Sequence, residues 1–510
     1  MKDEVELKLT VPPASAHKAE RLPWLRKLAK GSISRSEISS TYFDTKKLKL
    51  RRHGVTLRVR KAGSKRIQTI KGDGAGGGLA RGEREDDIKS AQPQLKHAKG
   101  TPLAPLVTKK LKRKLRPVFR TDIRRSVLDV QLNGSKIELA FDRGKVVAGR
   151  SSEPIHEIEL ELKDGSTEDI VELARRLRAN VPVSFGARTK PERGYALKTG
   201  EVDAPVHATP ILLKPDQSAG SAFTQIGLSC LQHLAANERA VLARDAEGVH
   251  QMRVGLRRLR AAISLFGDIV TGRDAEALKD ELKWLTEELG PARDLDVLAK
   301  EAIAPLRETN PETSEIAVLG KDVERKRRNE FTRASDAVAD RRFREVVLRA
   351  ALWLLDGAWS QAKGNAAGRR SKSITALAAD ILDRRARKII KKTKRLQELD
   401  ALHRHKLRIA VKKFRYGCEF FESLFEHAKA HKRYERALTE LQDALGKLND
   451  IEVHSRRGHR VANPRKRERQ QSQKAYAMGL LTGQEQAKRG ELITRATRAG
   501  RRIADARPFW

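Results

Sequence analysis

The chain has 510 residues with 106 Lys and Arg against 66 Asp and Glu, a formal net charge of +40 and a sequence pI of about 10.4. The excess is not a detachable tail, with 45 cations against 24 anions in residues 1–200 and 61 against 42 in the rest, and such a field captures polyanions: nucleic acid, an acidic membrane surface or a phosphate polymer. Aromatic residues are 5% of the chain, too few to interleave with cations as a single-strand nucleic-acid reader does, and no zinc-finger spacing supports a duplex reader.

The chain opens Glu4-Val5-Glu6-Leu7-Lys8-Leu9, a strict alternation of charged and aliphatic residues. Period two predicts a strand with Glu4, Glu6 and Lys8 on one side and Val5, Leu7 and Leu9 on the other. Segments Trp24–Lys30 and Thr167–Ala179 are predicted helices that could cover apolar strand faces. Leu57-Arg58-Val59-Arg60, Ile67-Gln68-Thr69-Ile70-Lys71 and Val118-Phe119-Arg120-Thr121 read as strands with a basic side, whereas Ile137-Glu138-Leu139-Ala140-Phe141-Asp142 and Glu157-Ile158-Glu159-Leu160-Glu161-Leu162-Lys163 read as strands with an acidic one. Like charges side by side repel, so clustered carboxylates call for a cation. Closed into a barrel with charged sides inward, these strands would place carboxylates opposite Arg and Lys, a combination suited to a metal-bound polyphosphate. A sheet with one wet face is the simpler account of any single strand. The run from Lys71 to Gly78 lacks a phosphate-loop pattern and reads as a turn.

Glu201–Gly220, with Pro205, Pro210 and Pro215, reads as a linker. Beyond it a segment occurs twice. His250, Arg253, Arg257, Leu259 and Arg260 recur in order and spacing as His405, Arg408, Lys412, Phe414 and Arg415, and the Leu289–Val297 segment is echoed by Leu445–Val453. On a helix His250, Arg253, Arg257 and Arg260 share one face, as do His405, Arg408, Lys412 and Arg415. Met252, Leu256, Leu259, Ile263 and Phe266 form a separate apolar face, matched by Leu407, Val411, Phe414 and Phe421. A solvated face has no reason to repeat this pattern, so the stripes are expected to meet a polyanion. Repeats of about 221–304 and 376–455 are expected, separated by a loosely periodic stretch from Pro305 to Gly368. The tail from Arg456 is strongly basic, with a turn expected at Asn463-Pro464-Arg465-Lys466-Arg467, and Ala475–Leu481 and Pro508-Phe509-Trp510 are expected to dock on the bundle. The only cysteines, Cys230 and Cys418, lie in helical, partly apolar contexts that favour buried thiols. No secretory leader or run of about 18 apolar residues is found, which predicts a cytoplasmic protein.

Residues 1–200 resemble the CYTH domain of the triphosphate tunnel metalloenzymes. The resemblance rests on Glu4-x-Glu6-x-Lys8, Tyr42-Phe43-Asp44-Thr45, Leu57–Arg60, Gln68–Gly72, Phe141–Gly144, Glu157–Lys163 and Lys190-Pro191-Glu192-Arg193-Gly194-Tyr195 taken together. About 221–510 resembles the CHAD domain, a duplicated helical module. The resemblance implies an α+β chain: an N-terminal eight-stranded antiparallel β-barrel (tunnel) with flanking helices, then an all-α duplicated helical bundle. It implies hydrolysis of inorganic triphosphate with Mg²⁺ or Mn²⁺, and binding of inorganic polyphosphate, in places at polyphosphate granules. Carried over by position, Glu4, Glu6 and Lys8 are catalytic, with Glu4, Glu6, Glu138, Asp142, Glu159 and Glu161 around the metal. Arg58, Arg60, Lys71, Arg120, Lys190 and Arg193, with Lys8, form the phosphate clamp. His250, Arg253, Arg257, Arg260, His405, Arg408, Lys412 and Arg415 are the polyphosphate stripe. Glu157 shares the parity of Glu159 and Glu161, and only one of Arg124 and Arg125 can face inward, so both choices stay open. Arg293 is matched in the copy by Asn449, and Asp294 and Asp450 are placed to orient arginines. Competing readings are a polyphosphate scaffold without catalysis and an adenylate cyclase or organic triphosphatase using the same tunnel; no base-reading feature supports the latter.

Overall fold

A computed structural model describes residues 5–72, 83–462 and 469–510. Glu4, most of the glycine-rich run and the expected turn at Asn463–Arg467 lie outside the described residues. The chain packs as two compact units. One comprises Met1–Thr209, Thr224–Ala243 and Asp340–Gln361; the other comprises Pro210–Phe223, Arg244–Ala339 and Ala362–Trp510.

The first unit is built on one antiparallel sheet of nine strands: β1 Val5–Thr10, β2 Ser34–Asp44, β3 Val55–Ala62, β4 Lys65–Gly72, β5 Glu83–Asp87, β6 Arg116–Leu132, β7 Ser135–Ala148, β8 Ser151–Asp164 and β9 Ser184–Phe185. Their order is β5-β4-β3-β2-β6-β7-β8-β1-β9. The α+β class and the antiparallel sheet are as expected, but there are nine strands rather than eight. Among the described residues no pairing joins β5 to β9, so the ladder is open where a closed barrel was expected. β9 offers two residues for pairing, which is too short an edge to close on. The β2–β6 ladder shifts register between Tyr42 and Phe43, where Pro117 supplies no amide donor.

Alternation divides the sheet. Leu7, Leu9, Leu139, Phe141, Ile158 and Leu160 are buried on one face. Helix Thr167–Asn180, capped by Ser166, buries Ile170, Val171, Leu173, Ala174 and Leu177. Each Ile, Val and Leu among these contributes about 1.5–3 kcal/mol on burial. At the other end of the sheet Leu57, Val59 and Ile70 form a cluster with Leu50, Leu103, Leu106 and Leu111. Two helical pieces from later in the chain belong to this unit. Thr224 donates to the Leu354 carbonyl at 3.0 Å, and Gln232 to that of Ala187 at 3.2 Å. The loosely periodic stretch is largely helical, filled by helices Ser314–Ala339 and Arg341–Asp356.

The second unit is helical. Its repeated helices, Ala246–Leu265 and Ala401–Phe421, begin at Asp245 and Asp400, whose side chains cap Gly248 and His403. The expected apolar faces are buried in both copies. Met478 and Leu481 pack with Leu298, Leu306 and Leu319, and Phe509 is buried beside His431 and Phe425. Cys230 and Cys418 are buried. Among the described residues no helix is long and apolar enough to cross a membrane.

Candidate functional sites

The charged face of the sheet follows from register. Arg125 on β6 lies opposite Asp142 on β7, Asp142 opposite Glu157 on β8, and Glu157 opposite Thr10 on β1. Directly paired residues project from the same side. Glu157, Glu159 and Glu161 therefore share a face with Glu6, Lys8, Glu138 and Asp142. The pairing continues through β2 to Arg58 and Arg60 on β3 and to Thr69 and Lys71 on β4. Glu85 of β5 completes the row, 3.6 Å from Arg58 and accepting a 3.0 Å bond from Thr69.

The carboxylates form two groups. In the inner one Asp142, Glu157 and Glu159 bring one oxygen each within 4.8 Å of one another. Lys190 Nζ sits 2.9, 2.8 and 2.7 Å from them. Arg125 Nη2 donates at 2.6 Å to both Asp142 and Glu159, and Lys8 lies 3.2 Å from Glu159. Burial opposes charge on Lys190, but Glu159, Asp142 and Glu157 outweigh it and raise its pKa. Lys8 and Arg125 are raised against burial in the same way, while Lys190, Lys8 and Arg125 hold Glu159 well below the usual carboxylate range. This group is already neutralised by protein cations.

The outer group is different. Glu6 pairs across the ladder with Glu161, and Glu161 with Glu138. Lys163 contacts Glu161 at 2.6 Å and Glu138 at 3.7 Å, and Glu6 reaches Lys8 at 3.7 Å. These are hard oxygen donors in a partly exposed row, the donor type that divalent cations prefer, whereas among the described residues the carboxylates whose oxygens converge within 4.8 Å are the inner three.

The far end of the face is closed by helix Lys190–Thr199, which begins with a capping box at Thr189 and Glu192. Tyr42 stacks on Phe119 with centroids 4.4 Å apart, and Phe119 meets Tyr195 edge-on at 5.0 Å. Gly194 is required there, since a Cβ would come within 2.1 Å of the Phe119 ring. Arg193, at 2.9 Å from Glu153 and 3.0 Å from Glu157, anchors the helix start instead of presenting a free cation.

The structure thus brings together Glu6, Lys8, Arg58, Arg60, Lys71, Glu138, Asp142, Glu159, Glu161, Lys190 and Arg193. Glu4 lies outside the described residues. Arg120 does not join them: it pairs with Thr41, projects from the opposite face and binds Asp122 at 2.9 Å. Of the two adjacent arginines Arg125 faces the carboxylates, and Arg124 pairs with exposed Glu37 at 3.4 Å. Glu85 escaped notice because its strand, Glu83–Asp87, has no apolar alternation.

In the helical unit the two stripes converge. Lys412 feels Arg408, Arg257 and Arg253. Arg253 lies 3.7 Å from Asp294, and Arg408 feels Asp450, the equivalent acid of the second copy. Nε and Nη1 of Arg253, Nε of Arg408 and Nδ1 of His250 are buried without a hydrogen-bond partner. Burial, then Arg408 and Arg257, lowers Lys412 to about 7, and burial with Arg293 lowers His250 to about 4. Arg257 donates to the Tyr416 hydroxyl at 3.3 Å, and Arg260 to that of Thr286 at 3.0 Å. His405 is tied at 2.7 Å to Asn449, the counterpart of Arg293. Arg415, half-buried on the same helix, completes the second stripe.

Residues 2–195 match the CYTH domain, and residues 225–458 match the CHAD domain. An inorganic triphosphatase from Haemophilus influenzae is 32% identical over 204 residues, which are 39% of this chain and 55% of that protein, so the match spans about half of the relative's length. The crystal structure of the CHAD domain from the plant Ricinus communis is 31% identical, covers 60% of this chain and 98% of its own, and superposes with a TM-score of 0.50. PptA from Streptomyces chartreusis covers 56% of this chain and 100% of its own at 15% identity and a TM-score of 0.41.

Proposed function

Because the chain belongs to the proteins that join a CYTH domain to a CHAD domain, we propose that its sheet unit hydrolyses inorganic triphosphate to pyrophosphate and phosphate and that its helical unit binds inorganic polyphosphate. The observation that carries the first part is one sheet face with oxygen donors at one end and Arg58, Arg60 and Lys71 at the other. The likeness to an inorganic triphosphatase supports it. Glu6, Glu138 and Glu161 would hold a divalent metal, since the inner carboxylates, Glu159 among them, are held by Lys190 and Arg125. When bound, such an ion neutralises phosphate oxygens and acidifies water.

The protein's own residues do the positioning. Arg60 makes no ion pair among the described residues, and burial with Arg58 nearby lowers its pKa, so an incoming phosphate oxygen relieves a repulsion. Arg58, Lys71, Lys8 and Arg125 add charge along the same face, Lys190 fixes the carboxylates of Asp142 and Glu159 that orient Arg125, and Arg193 holds Glu157. Phosphoryl transfer asks mainly for this alignment and charge neutralisation. The convergent stripes, with buried arginine donors lacking partners, support polyphosphate as the helical unit's ligand. The reading places the protein in the cytoplasm, at polyphosphate granules where these form.

The test is phosphate release from tripolyphosphate, ATP and long-chain polyphosphate, each with Mg²⁺, Mn²⁺ or chelator. Metal-dependent release from tripolyphosphate well above ATP is expected. Preference for ATP would favour the nucleotide reading, and retained long-chain binding without release would leave a scaffold.

A further inference from the structure

The internal duplication exposes a place where one copy holds a protein carboxylate and the other does not. At the offset of 155 residues, Arg258 corresponds to Lys413 and Glu419 to Ser264. Arg258 reaches from the first repeated helix to Glu419 of the second at 2.8 Å, its guanidinium 5.6 Å from the centre of the Phe420 ring. Lys413 makes the reciprocal contact from the second helix to the first, and finds the Ser264 hydroxyl at 3.1 Å. A hydroxyl stands where the symmetry of the repeat puts an anion.

The charge around Ser264 is correspondingly only partly compensated. Arg385, on helix Ile374–Thr393, donates to the Ser264 carbonyl at 2.7 Å, so two cations are anchored on one residue. Burial, then Arg385, Arg260 and Lys279, lowers the Lys413 pKa. The neighbouring acids give partial relief: Asp268 acts on Arg385 but lies 3.1 Å from Arg369 and 2.9 Å from Arg384, and Glu276 lies 2.7 Å from Lys279. Among the described residues Lys413, Arg385 and Arg260 have no ion pair. Lys413 and Arg385 lie outside the stripe and Arg260 is the residue the two share: the charges acting on Lys412 are Arg408, Arg257, Asp450 and Arg253, whereas those acting on Lys413 are Arg385, Arg260 and Lys279.

We propose that Lys413, Arg385 and the Ser264 hydroxyl form a second anion site, with Arg260 at its rim, that takes a phosphoryl oxyanion where the other copy uses Glu419. An ammonium on the Ser264 hydroxyl and a guanidinium on the Ser264 carbonyl put donors of both kinds at one residue, able to serve several oxygens of a tetrahedral anion. A dianion near neutrality compensates more of the three cations than a carboxylate would. The oxyanion is either free orthophosphate or one unit of a longer phosphate chain, and the site stands whether or not the stripe takes polyphosphate.

Calorimetric titration of the full chain with orthophosphate and, separately, long-chain polyphosphate at fixed ionic strength tests this. Ser264→Glu supplies the missing carboxylate, and Arg385→Gln removes a donor. Each is expected to weaken one of the two ligands about tenfold, as loss of a charge-assisted hydrogen bond does. An effect on orthophosphate identifies the free ion, and an effect on the polymer alone identifies a chain unit. Lys391→Ala, the same change in charge at an exposed position on another face of the helix that carries Arg385, measures the non-specific effect. If Ser264→Glu does not fold, Arg385→Gln decides. The site is overturned if the folded variants change neither ligand more than Lys391→Ala does. Loss of polymer binding only on Arg253→Gln with Arg408→Gln would overturn it and leave the polyphosphate stripe intact.

Discussion

The two charged regions treat their cations in opposite ways. On the sheet, Lys8, Lys190 and Arg125 have raised pKa values because Glu159, Asp142 and Glu157 lie against them. In the helical unit, Arg253, Arg408 and Lys412 are lowered, chiefly by burial and then by other cations, with Asp294 and Asp450 giving only partial relief. A self-neutralised face is held in shape before any ligand arrives. A face of like charges is held together by its apolar backing, and gains stability when a polyanion binds.

The largest effect should come from breaking the outer oxygen row. Glu6→Ala with Glu161→Ala is expected to lower metal-dependent phosphate release from tripolyphosphate by about 10³-fold or more. Because neither residue belongs to the neutralised inner group, urea unfolding should change little; hydrolysis that survived with the same metal dependence would remove the assignment. Lys190→Ala acts on the inner group and should do the reverse at the level of folding. It leaves buried Asp142 and Glu157 short of a partner. Breaking a buried pair in this way costs about 3–5 kcal/mol, read as a lower urea midpoint at unchanged slope.

Most of this contrast was readable in the sequence, for a physical reason: alternation and helical periodicity report which side chains share a face. They placed Glu6 with Lys8 on one strand face and Glu159 with Glu161 on another, the two being joined only by the resemblance to the tunnel family, and separated the cationic stripes from Met252, Leu407 and Phe414. They could not place Arg120 and Arg125, because the basic run Arg116–Arg125 is charged at both parities and register alone decides. Nor could they find Glu85, on a short strand with no apolar alternation. Strand count and the open ladder depend on edges of two and five residues, too short to leave a pattern. The Ser264 position became visible only when Lys413 and Arg258 were seen reaching across to the opposite copy.

A smaller effect belongs to pH. Lys412 has a pKa of about 7 in the folded protein, well below its ordinary value of 10.5. Between those values the unfolded chain binds more protons, so this group makes stability rise as pH climbs from about 7 and fall as it is lowered toward 7. A bound polyphosphate favours the ammonium, so binding takes up a proton and affinity should weaken as pH rises from 7 to 9. Lys412→Arg keeps its charge and should flatten that slope. Titration calorimetry in buffers of different ionisation heat would reveal the proton directly; an unchanged slope in the arginine variant would show that Lys412 is not its source.

The smallest effect tests the division of the sheet itself. Arg120→Ala removes an exposed cation whose partner Asp122 is also held by Ser39 at 2.9 Å. It should change stability by no more than about 0.5 kcal/mol and leave hydrolysis within about twofold. Arg125→Ala, five residues along the same strand, removes a guanidinium bridging buried Asp142 and half-buried Glu159 and should lower both stability and turnover. If the two variants proved equally damaging, the register that separates them would be wrong, and with it the pairing of every carboxylate on that face.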